Sequence, residues 1–384
     1  VNVERAHGDG PRRGGILIAG GGTAGHVLPG LAVAAALVER GVVADRSDVH
    51  LVGSRRGVEV ELVPGAGFGL TVLGGRGIQR RLTPANVGAL MGLLAGFLRA
   101  FLLMVRARPR VVLSLGGYAS IPCGLAAVVL RVPLVVAEQN AVPGAANRLL
   151  GRFARASAVS FVDTALPRPE LTGNPVRAAI RSAVGTRSEA RARIGVDDRP
   201  LLVAFGGSLG ARRINRAVAD FVEGWRGGPL AVRHVVGTRG WAAGEMARAV
   251  PAGVGYTAVA YEHDMPTLLA AADLVVCRSG ATSVAELAVL GVPSVLVPLP
   301  GAPGDHQTAN ARHLAGSGGA VLLADADLDG SALEDLLGEI LSDPPRRDAM
   351  AEAARSMARP DAADRVVDLI LRHAAGRCDD VRDA

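Results

Sequence analysis

Residues 16–35 read ILIAGGGTAGHVLPGLAVAA. An aliphatic run (ILIAG, 16–20) enters the loop Gly20–Gly21–Gly22–Thr23–Ala24–Gly25, and His26 opens a helical pattern. Strand, glycine turn and helix in that order begin a βαβ unit, and Gly20, Gly22 and Gly25 fit the G-x-G-x-x-G spacing of dinucleotide-binding loops. Alone, the spacing stands level with a tight turn that packs a helix on a sheet. A dinucleotide site also asks for an acid about 20 residues on, at the end of the second strand, to hold a ribose. That strand ends Gly53–Ser54–Arg55–Arg56, with no carboxylate, although two arginines would suit the extra phosphate of NADP. A helix N-terminus disfavours a cation, so an imidazole at His26 leans to its neutral form and suits a general base; a capping or core histidine is the plainer reading.

The same motif recurs along the 384 residues. ILIAG (16–20), VHLVG (49–53), VVLSLGG (111–117), PLVVAEQN (133–140) and ASAVSF (156–161) read as parallel strands of one sheet. LLVAFGG (201–207), VRHVVG (232–237), GYTAVAY (255–261), LVVCRSG (274–280), PSVLVPL (293–299) and AVLLAD (320–325) read as strands of a second. Unbroken aliphatic runs separated by helix-length segments mean strands buried on both faces, the mark of an α/β doubly wound arrangement. ILIAGGGTAGHVLPG and LLVAFGGSLGARRIN echo one another, which predicts two Rossmann-like domains, each with its own phosphate-friendly turn. The Pro- and Gly-dense stretch 166–177 reads as the linker. The expected division is a disordered leader (1–14), an N-terminal domain (15–178) and a C-terminal domain (179–356). The final segment, 357–384, contains a helical pattern at Ala362–His373 that by itself could pack on either domain; the expected place is back on the first.

Composition narrows the function. Hydrophobic residues make up 49% and aromatics 3%, a profile of soluble domains built on small aliphatics. All 42 basic residues are arginine, so a single arginine carries little meaning, but the net charge of +6 suits a phosphate-bearing ligand or an acidic membrane surface. No basic tail or aromatic–basic alternation points to nucleic acid. Cys123, Cys277 and Cys378 are odd in number and lack metal spacing, which fits a reducing cytosol. Residues 1–14 hold no apolar core of a secretory signal.

Three second-domain segments fall at predicted strand ends, where open α/β sheets bind ligands. Gly206–Gly207–Ser208–Leu209–Gly210 can cradle a diphosphate with main-chain amides and a hydroxyl; Ser208 as a helix N-cap is equally plausible. In Arg278–Glu286, Ser283 and Glu286 fit an S-x-x-E capping box, yet a glutamate one turn into a crevice-facing helix can also accept both hydroxyls of a ribose. Asp305–Asn310 offers imidazole and amide groups suited to sugar hydroxyls, or simply a solvated helix start. Asp325–Ala326–Asp327 has the D-x-D form used by metal-dependent sugar transferases, but its place after the last strand reads as a cap and surface turn, so no metal is expected.

The stretch Val87–Leu98 is apolar, with Arg76, Arg80 and Arg81 before it and Arg99, Arg106 and Arg108 after it. It follows Leu82–Thr83–Pro84, a good helix start. Twelve uncharged residues fall short of the about 20 a membrane span needs. A helix on the sheet accounts for most of them, with an interfacial patch and arginine collar as the added reading.

Taken together, GGTAGHVLPGLAVAA (21–35), GGYAS (116–120), EQN (138–140), GNPVR (173–177), GGSLGAR (206–212), CRSGATSVAE (277–286) and HQTANA (306–311) resemble, in order, the MurG family of bacterial cell-wall N-acetylglucosaminyltransferases. The resemblance spans roughly residues 14–375. It implies a GT-B glycosyltransferase, two Rossmann-like domains with an interdomain cleft. Its implied reaction moves GlcNAc from UDP-GlcNAc to the MurNAc 4-hydroxyl of lipid I (undecaprenyl-pyrophosphoryl-MurNAc-pentapeptide), giving lipid II with inversion, no metal and no cofactor. It also implies a peripheral place on the anionic cytoplasmic face of the cell membrane and association with a cell-wall synthesis complex. By position it makes His26 the general base. Thr23, Ala24, Gly25, Asn140, Arg177, Ser208, Ala281, Thr282, Ser283, Val284, Ala285, Glu286 and Gln307 become donor-binding, with Ser208 at the diphosphate, Glu286 at the ribose and Gln307 at the sugar. Gly21, Gly22, Gly116, Gly117, Tyr118 and Glu138 become acceptor-binding. Ala24, Glu262 and His306 depart from the family pattern. Two rivals stand beside it: an NADP-dependent oxidoreductase resting on the first loop, and a nucleotide-sugar-binding regulator that has lost transfer.

Overall fold

The computed structural model describes residues 10–55, 57–74 and 85–374, without the side chains of residues 85–90. Residues 1–9 of the expected leader, Arg56, Arg76, Arg80, Arg81, the helix start Leu82–Thr83–Pro84 and Cys378 lie outside the described residues. The chain forms two compact units, one running to Arg177 and resuming at Pro360, the other Ala178–Arg359.

The first unit is built on a seven-stranded sheet: β1 (Ile16–Gly20), β2 (Val49–Ser54), β3 (Gly69–Leu73), β4 (Val111–Gly116), β5 (Leu134–Glu138), β6 (Ala156–Val159) and β7 (Pro169–Leu171). The order is β3-β2-β1-β4-β5-β6-β7, and every pairing is parallel. β1 and β4 are buried along almost their whole length because helices cover both faces. Ile16, Ile18 and Leu113 face a core shared with the helices Ala24–Glu39 and Ala362–His373, whereas Leu17 and Val112 face Ala100, Met104 and Cys123. Alternate residues serving two cores explain why the strands show no polar alternation. Truncating one of these fully buried leucines to alanine costs about 2–5 kcal/mol.

The second unit has six parallel strands: β8 (Leu201–Phe205), β9 (Leu230–Val235), β10 (Val254–Val259), β11 (Leu274–Cys277), β12 (Ser294–Leu296) and β13 (Ala320–Leu322), in the order β10-β9-β8-β11-β12-β13. Both sheets reverse direction of winding beside their first strand. That reversal opens a crevice at the C-terminal strand ends, where the loops collect. The doubly wound α/β reading is therefore borne out.

Two parts of the sequence reading need correction. Residues 166–177 are not linker throughout: Pro169–Leu171 pairs with β6 as an edge strand, where proline's missing N–H is tolerated. Gly69–Leu73, the opposite edge, was not foreseen as a strand at all. Helix Ala362–His373 lies on the first sheet, burying Val366, Val367 and Ile370, and Arg40 of the first unit meets its Asp368 at 2.6 Å.

Candidate active site

In the first unit the C-terminal ends of β1, β4 and β5 gather most of the sequence-predicted residues. Thr23 is the N-cap of helix Ala24–Glu39, in extended conformation, but its hydroxyl makes no cap bond. Instead Thr23 Oγ1 meets His26 Nδ1 at 3.1 Å. The half-buried imidazole lies against the loop after β4: a Cβ on Gly116 would stand 3.4 Å from His26 Nε2 and 3.2 Å from Asn147 Nδ2. Gly117 has φ +82°, and a Cβ there would fall 2.5 Å from Gly21 O, so only glycine lets the loops after β1 and β4 touch. Ala24 and Gly25 open the helix beside them. Tyr118 is anchored by its hydroxyl, which donates to Gly74 O at 3.0 Å.

Glu138 is 3% exposed and organises the next loop. Its Oε1 accepts from Asn140 N (3.0 Å) and Asn140 Nδ2 (3.2 Å), and its Oε2 from Gly144 N (3.0 Å) and Asn147 Nδ2 (2.9 Å). Both carboxylate oxygens are thus engaged within the protein, which fixes where Asn140 stands. Asn147 was missed by sequence reasoning. It is fully buried, donates to Ala137 O as well, and accepts from Ser114 Oγ at 3.3 Å. Only its neighbours across the sheet mark it; a lone asparagine in a short helix carries no sequence signal.

The first loop also has an acid after all. Glu59, beyond the end of β2, folds back so that both its oxygens accept from Gly22 N (3.1 and 3.0 Å). The Gly22 amide is thereby engaged within the protein.

In the second unit, Gly206–Ala211 links β8 to helix Arg212–Gly224. The N-cap is Ala211, so the N-cap reading of Ser208 falls; Ser208 stands exposed at the tip of the turn closed by Gly210 N donating to Gly207 O at 2.9 Å. Gly210 has φ +84°, and a Cβ there would meet Val236 O at 2.1 Å. Beneath lies a buried network. His234 Nε2 contacts Asn215 Oδ1 (3.2 Å) and Nδ1 contacts the Tyr256 hydroxyl (3.0 Å). Asn215 Nδ2 donates to Val236 O (2.9 Å) and Glu245 Oε2 (2.9 Å). Because Asn215 Oδ1 can only accept, the proton of neutral His234 sits on Nε2. Burial pushes the His234 imidazole down to about 4.

Helix Ala281–Leu290 begins with Gly280 as N-cap. Ser283 is therefore its third residue, and the capping box predicted with Glu286 does not form. Glu286 is instead carried a turn and a half in, 6% exposed. Thr282 Oγ1 is buried with no hydrogen-bond partner among the described residues. The loop before the helix is pinned by Arg278, which donates to Val297 O (3.2 Å) and Pro298 O (3.0 Å) and pairs with Asp325 at 2.6 Å. The D-x-D reading as a surface turn is thus half right: Asp325 is a mostly buried counter-ion, and Asp329 is the one that caps, accepting from Ala332 N at 2.8 Å. Gln307 Oε1 accepts from Leu299 N (2.9 Å), which fixes the amide plane and directs its NH2 outward from that bond. Glu262 turns onto Asp264 N (3.0 Å), and His306 Nδ1 onto Pro303 O (2.8 Å). Arg177 ends the first unit; the second begins at the next residue.

Each unit thus presents what one half of a group transfer needs: an imidazole beside glycine turns in the first, and an exposed hydroxyl turn with a buried carboxylate in the second. Two family descriptions match these units. The glycosyltransferase family 28 N-terminal domain matches residues 16–159, and the glycosyltransferase family 28 C-terminal domain matches residues 201–366. The chain is 40% identical over 370 residues to the UDP-N-acetylglucosamine–N-acetylmuramyl-(pentapeptide) pyrophosphoryl-undecaprenol N-acetylglucosamine transferase of Desulforudis audaxviator, covering 92% of this chain and 97% of that protein. It is 41% identical over 366 residues to the protein of the same description from Alkalilimnicola ehrlichii, covering 94% and 99%. The crystal structure of Acinetobacter baumannii MurG superposes with a TM-score of 0.74 at 30% identity, covering 94% of this chain and all of that one.

Proposed function

The chain belongs to glycosyltransferase family 28 and, within it, to the MurG family, and from that premise we propose how its residues divide the work. The reaction is transfer of GlcNAc from UDP-GlcNAc to lipid I, forming lipid II. The observation that carries the assignment of roles is the Thr23–His26 pair at the mouth of the first sheet. In the tautomer that donates Nδ1–H to Thr23 Oγ1, the basic nitrogen is Nε2. It takes the proton of the acceptor 4-hydroxyl as that oxygen bonds to the anomeric carbon. The bond from that carbon to the UDP oxygen breaks with its electron pair, from the opposite face, so the configuration inverts.

Charge then develops on the departing diphosphate. Ser208 and the amides of its turn, held up by the Asn215–His234 network, meet that charge without having to reorganise. Glu286 accepts the ribose diol, Gln307 reads the sugar hydroxyls, and Arg177 and Asn140 complete the donor contacts. With Glu138 engaged by Asn140, Gly144 and Asn147, its part in acceptor binding is indirect, through the loop it shapes. Incubation with UDP-[14C]GlcNAc and a lipid I analogue, with product identification, tests the assignment. His26→Ala is expected to lower kcat by about 100-fold or more with donor affinity kept; unchanged turnover removes His26 as base.

The acceptor is a membrane lipid, and the helix Ala85–Ala107 offers the surface to reach it. No described helix is long and apolar enough to cross a membrane. Yet Met91, Leu94, Leu98, Leu102 and Val105 are all about half exposed or more, at spacings of three and four that place them on one face. Its opposite face is buried at Ala100, Met104 and Ala107. Arg99 and Arg106 flank the stripe. Nearby, helix Ser120–Val129 leads to a cavity of about 610 Å³ whose wall includes Arg131, Arg152, Arg155 and Arg168 with Phe153. An apolar stripe with this much positive charge suits peripheral binding to the anionic cytoplasmic face of the membrane.

A further inference from the structure

We infer that Glu59 is a positioning residue for the transfer: its carboxylate fills the place a ligand phosphate has in a dinucleotide loop, and so aims His26. This rests on reading His26 as the base. Glu59 is 1% exposed and opens the short helix Glu59–Gly65 just beyond β2. Besides the two contacts from Gly22 N, its Oε1 accepts from Ser54 N (2.6 Å) and Ser54 Oγ (2.9 Å). Four contacts converge on one carboxylate drawn from sequence more than 30 residues away from the loop it holds.

The surrounding backbone is shaped to that side chain. A Cβ on Gly21 would stand 2.2 Å from Glu59 Oε1, one on Gly53 2.5 Å from its Cγ, and one on Gly57 1.9 Å from its Oε2. At all three positions any side chain would collide with Glu59 as it now stands. Gly22, whose amide is held, has φ +95° and lies between Gly21 and Thr23. Its conformation sets the direction in which the chain enters helix Ala24–Glu39. Thr23 follows at once, and its hydroxyl turns to His26 instead of capping the helix. The linkage therefore runs from Glu59 to the Gly22 N–H, through the chain to the adjoining Thr23, and from its hydroxyl to His26. The first loop looks like a phosphate cradle in sequence because it is one, with an internal anion in it.

The test is a double-mutant cycle between Glu59→Gln and His26→Ala, read in steady-state transfer from UDP-[14C]GlcNAc. Glutamine keeps the shape but presents a neutral amide to Gly22 N. Folding is checked by circular dichroism. The expected result is a kcat about tenfold lower, a KM for UDP-GlcNAc within twofold, and a displaced acid limb in the pH profile of kcat. In the His26→Ala background, Glu59→Gln is expected to change the rate by less than twofold. An equal loss in both backgrounds overturns the inference, as does a loss confined to KM. If His26→Ala alone leaves kcat intact, the base assignment itself fails, a separate outcome. If Glu59→Gln does not fold, Ser54→Ala, which removes one hydroxyl donor from the half-buried Ser54, is put through the same cycle. A drop of about threefold that vanishes in His26→Ala supports the inference, and no drop overturns it.

Discussion

Lowering the pH from 7.5 to 5 should weaken the second unit through a single buried imidazole, His234. In the folded chain burial holds its protonation down, from 6.5 to about 4. The unfolded chain has no such burial and binds the proton near 6.5. Between those values the unfolded state binds more protons, so the stabilising effect of neutral His234 is full above about pH 6.5 and fades as the pH falls toward 4. At pH 5 the unfolded imidazole has gained about 1.5 pH units of protonation free energy that the folded one has not, which is about 2 kcal/mol; below pH 4 the loss levels off near 3 kcal/mol. For a unit of this size 2 kcal/mol corresponds to a fall in Tm of about 4–8 °C. His234→Gln keeps groups able to meet Asn215 and Tyr256 but does not titrate. Its own cost shifts the whole curve, so the slope against pH is the readout. Scanning calorimetry at pH 7.5, 6 and 5 should show a drop in the wild-type transition that is shallower in the variant by about 2 kcal/mol. Equal slopes in the two proteins would refute the reasoning, because they would mean the imidazole is solvated or already charged at neutral pH. His50, buried in the first sheet and also pushed down to about 4, gives a matching control: His50→Gln should flatten the other unit's transition.

Glu286→Gln should raise the dissociation constant of UDP by about tenfold or more, as charge-assisted bonds to the ribose diol are lost; titration calorimetry showing unchanged affinity would remove Glu286 from that role. Asp325→Ala leaves the mostly buried Arg278 guanidinium without its counter-ion and should cost about 3–5 kcal/mol in urea unfolding, whereas a surface turn would lose less than about 0.5 kcal/mol. Replacing Leu94, Leu98 and Leu102 together by serine removes about 1 kcal/mol of further burial at each half-exposed position, so binding to vesicles containing anionic lipid should weaken by about 100-fold in a sedimentation assay; undiminished binding would place the membrane contact elsewhere.

The strands at the middle of both sheets, β1, β4, β5, β8 and β11, were legible from sequence because strands covered on both faces must be aliphatic throughout. Edge strands escape that demand. Gly69–Leu73 and Pro169–Leu171 are short, bear polar or proline positions and resemble loop until a partner strand is seen. The glycine turns were equally legible, since close approach and positive φ admit few other residues, and with them came the positions of His26, Ser208 and Glu286. What the turns are made for was not. Glu59 meets Gly22 across 37 residues of chain, Asn147 meets Ser114 across 33 and Asp325 meets Arg278 across 47, and these partners are fixed by which strand lies beside which. Local pattern determines where a chain turns and which face it buries, because those depend on a residue and its near neighbours. Which carboxylate meets which amide depends on the order of strands in the sheet, and only the folded chain decides that.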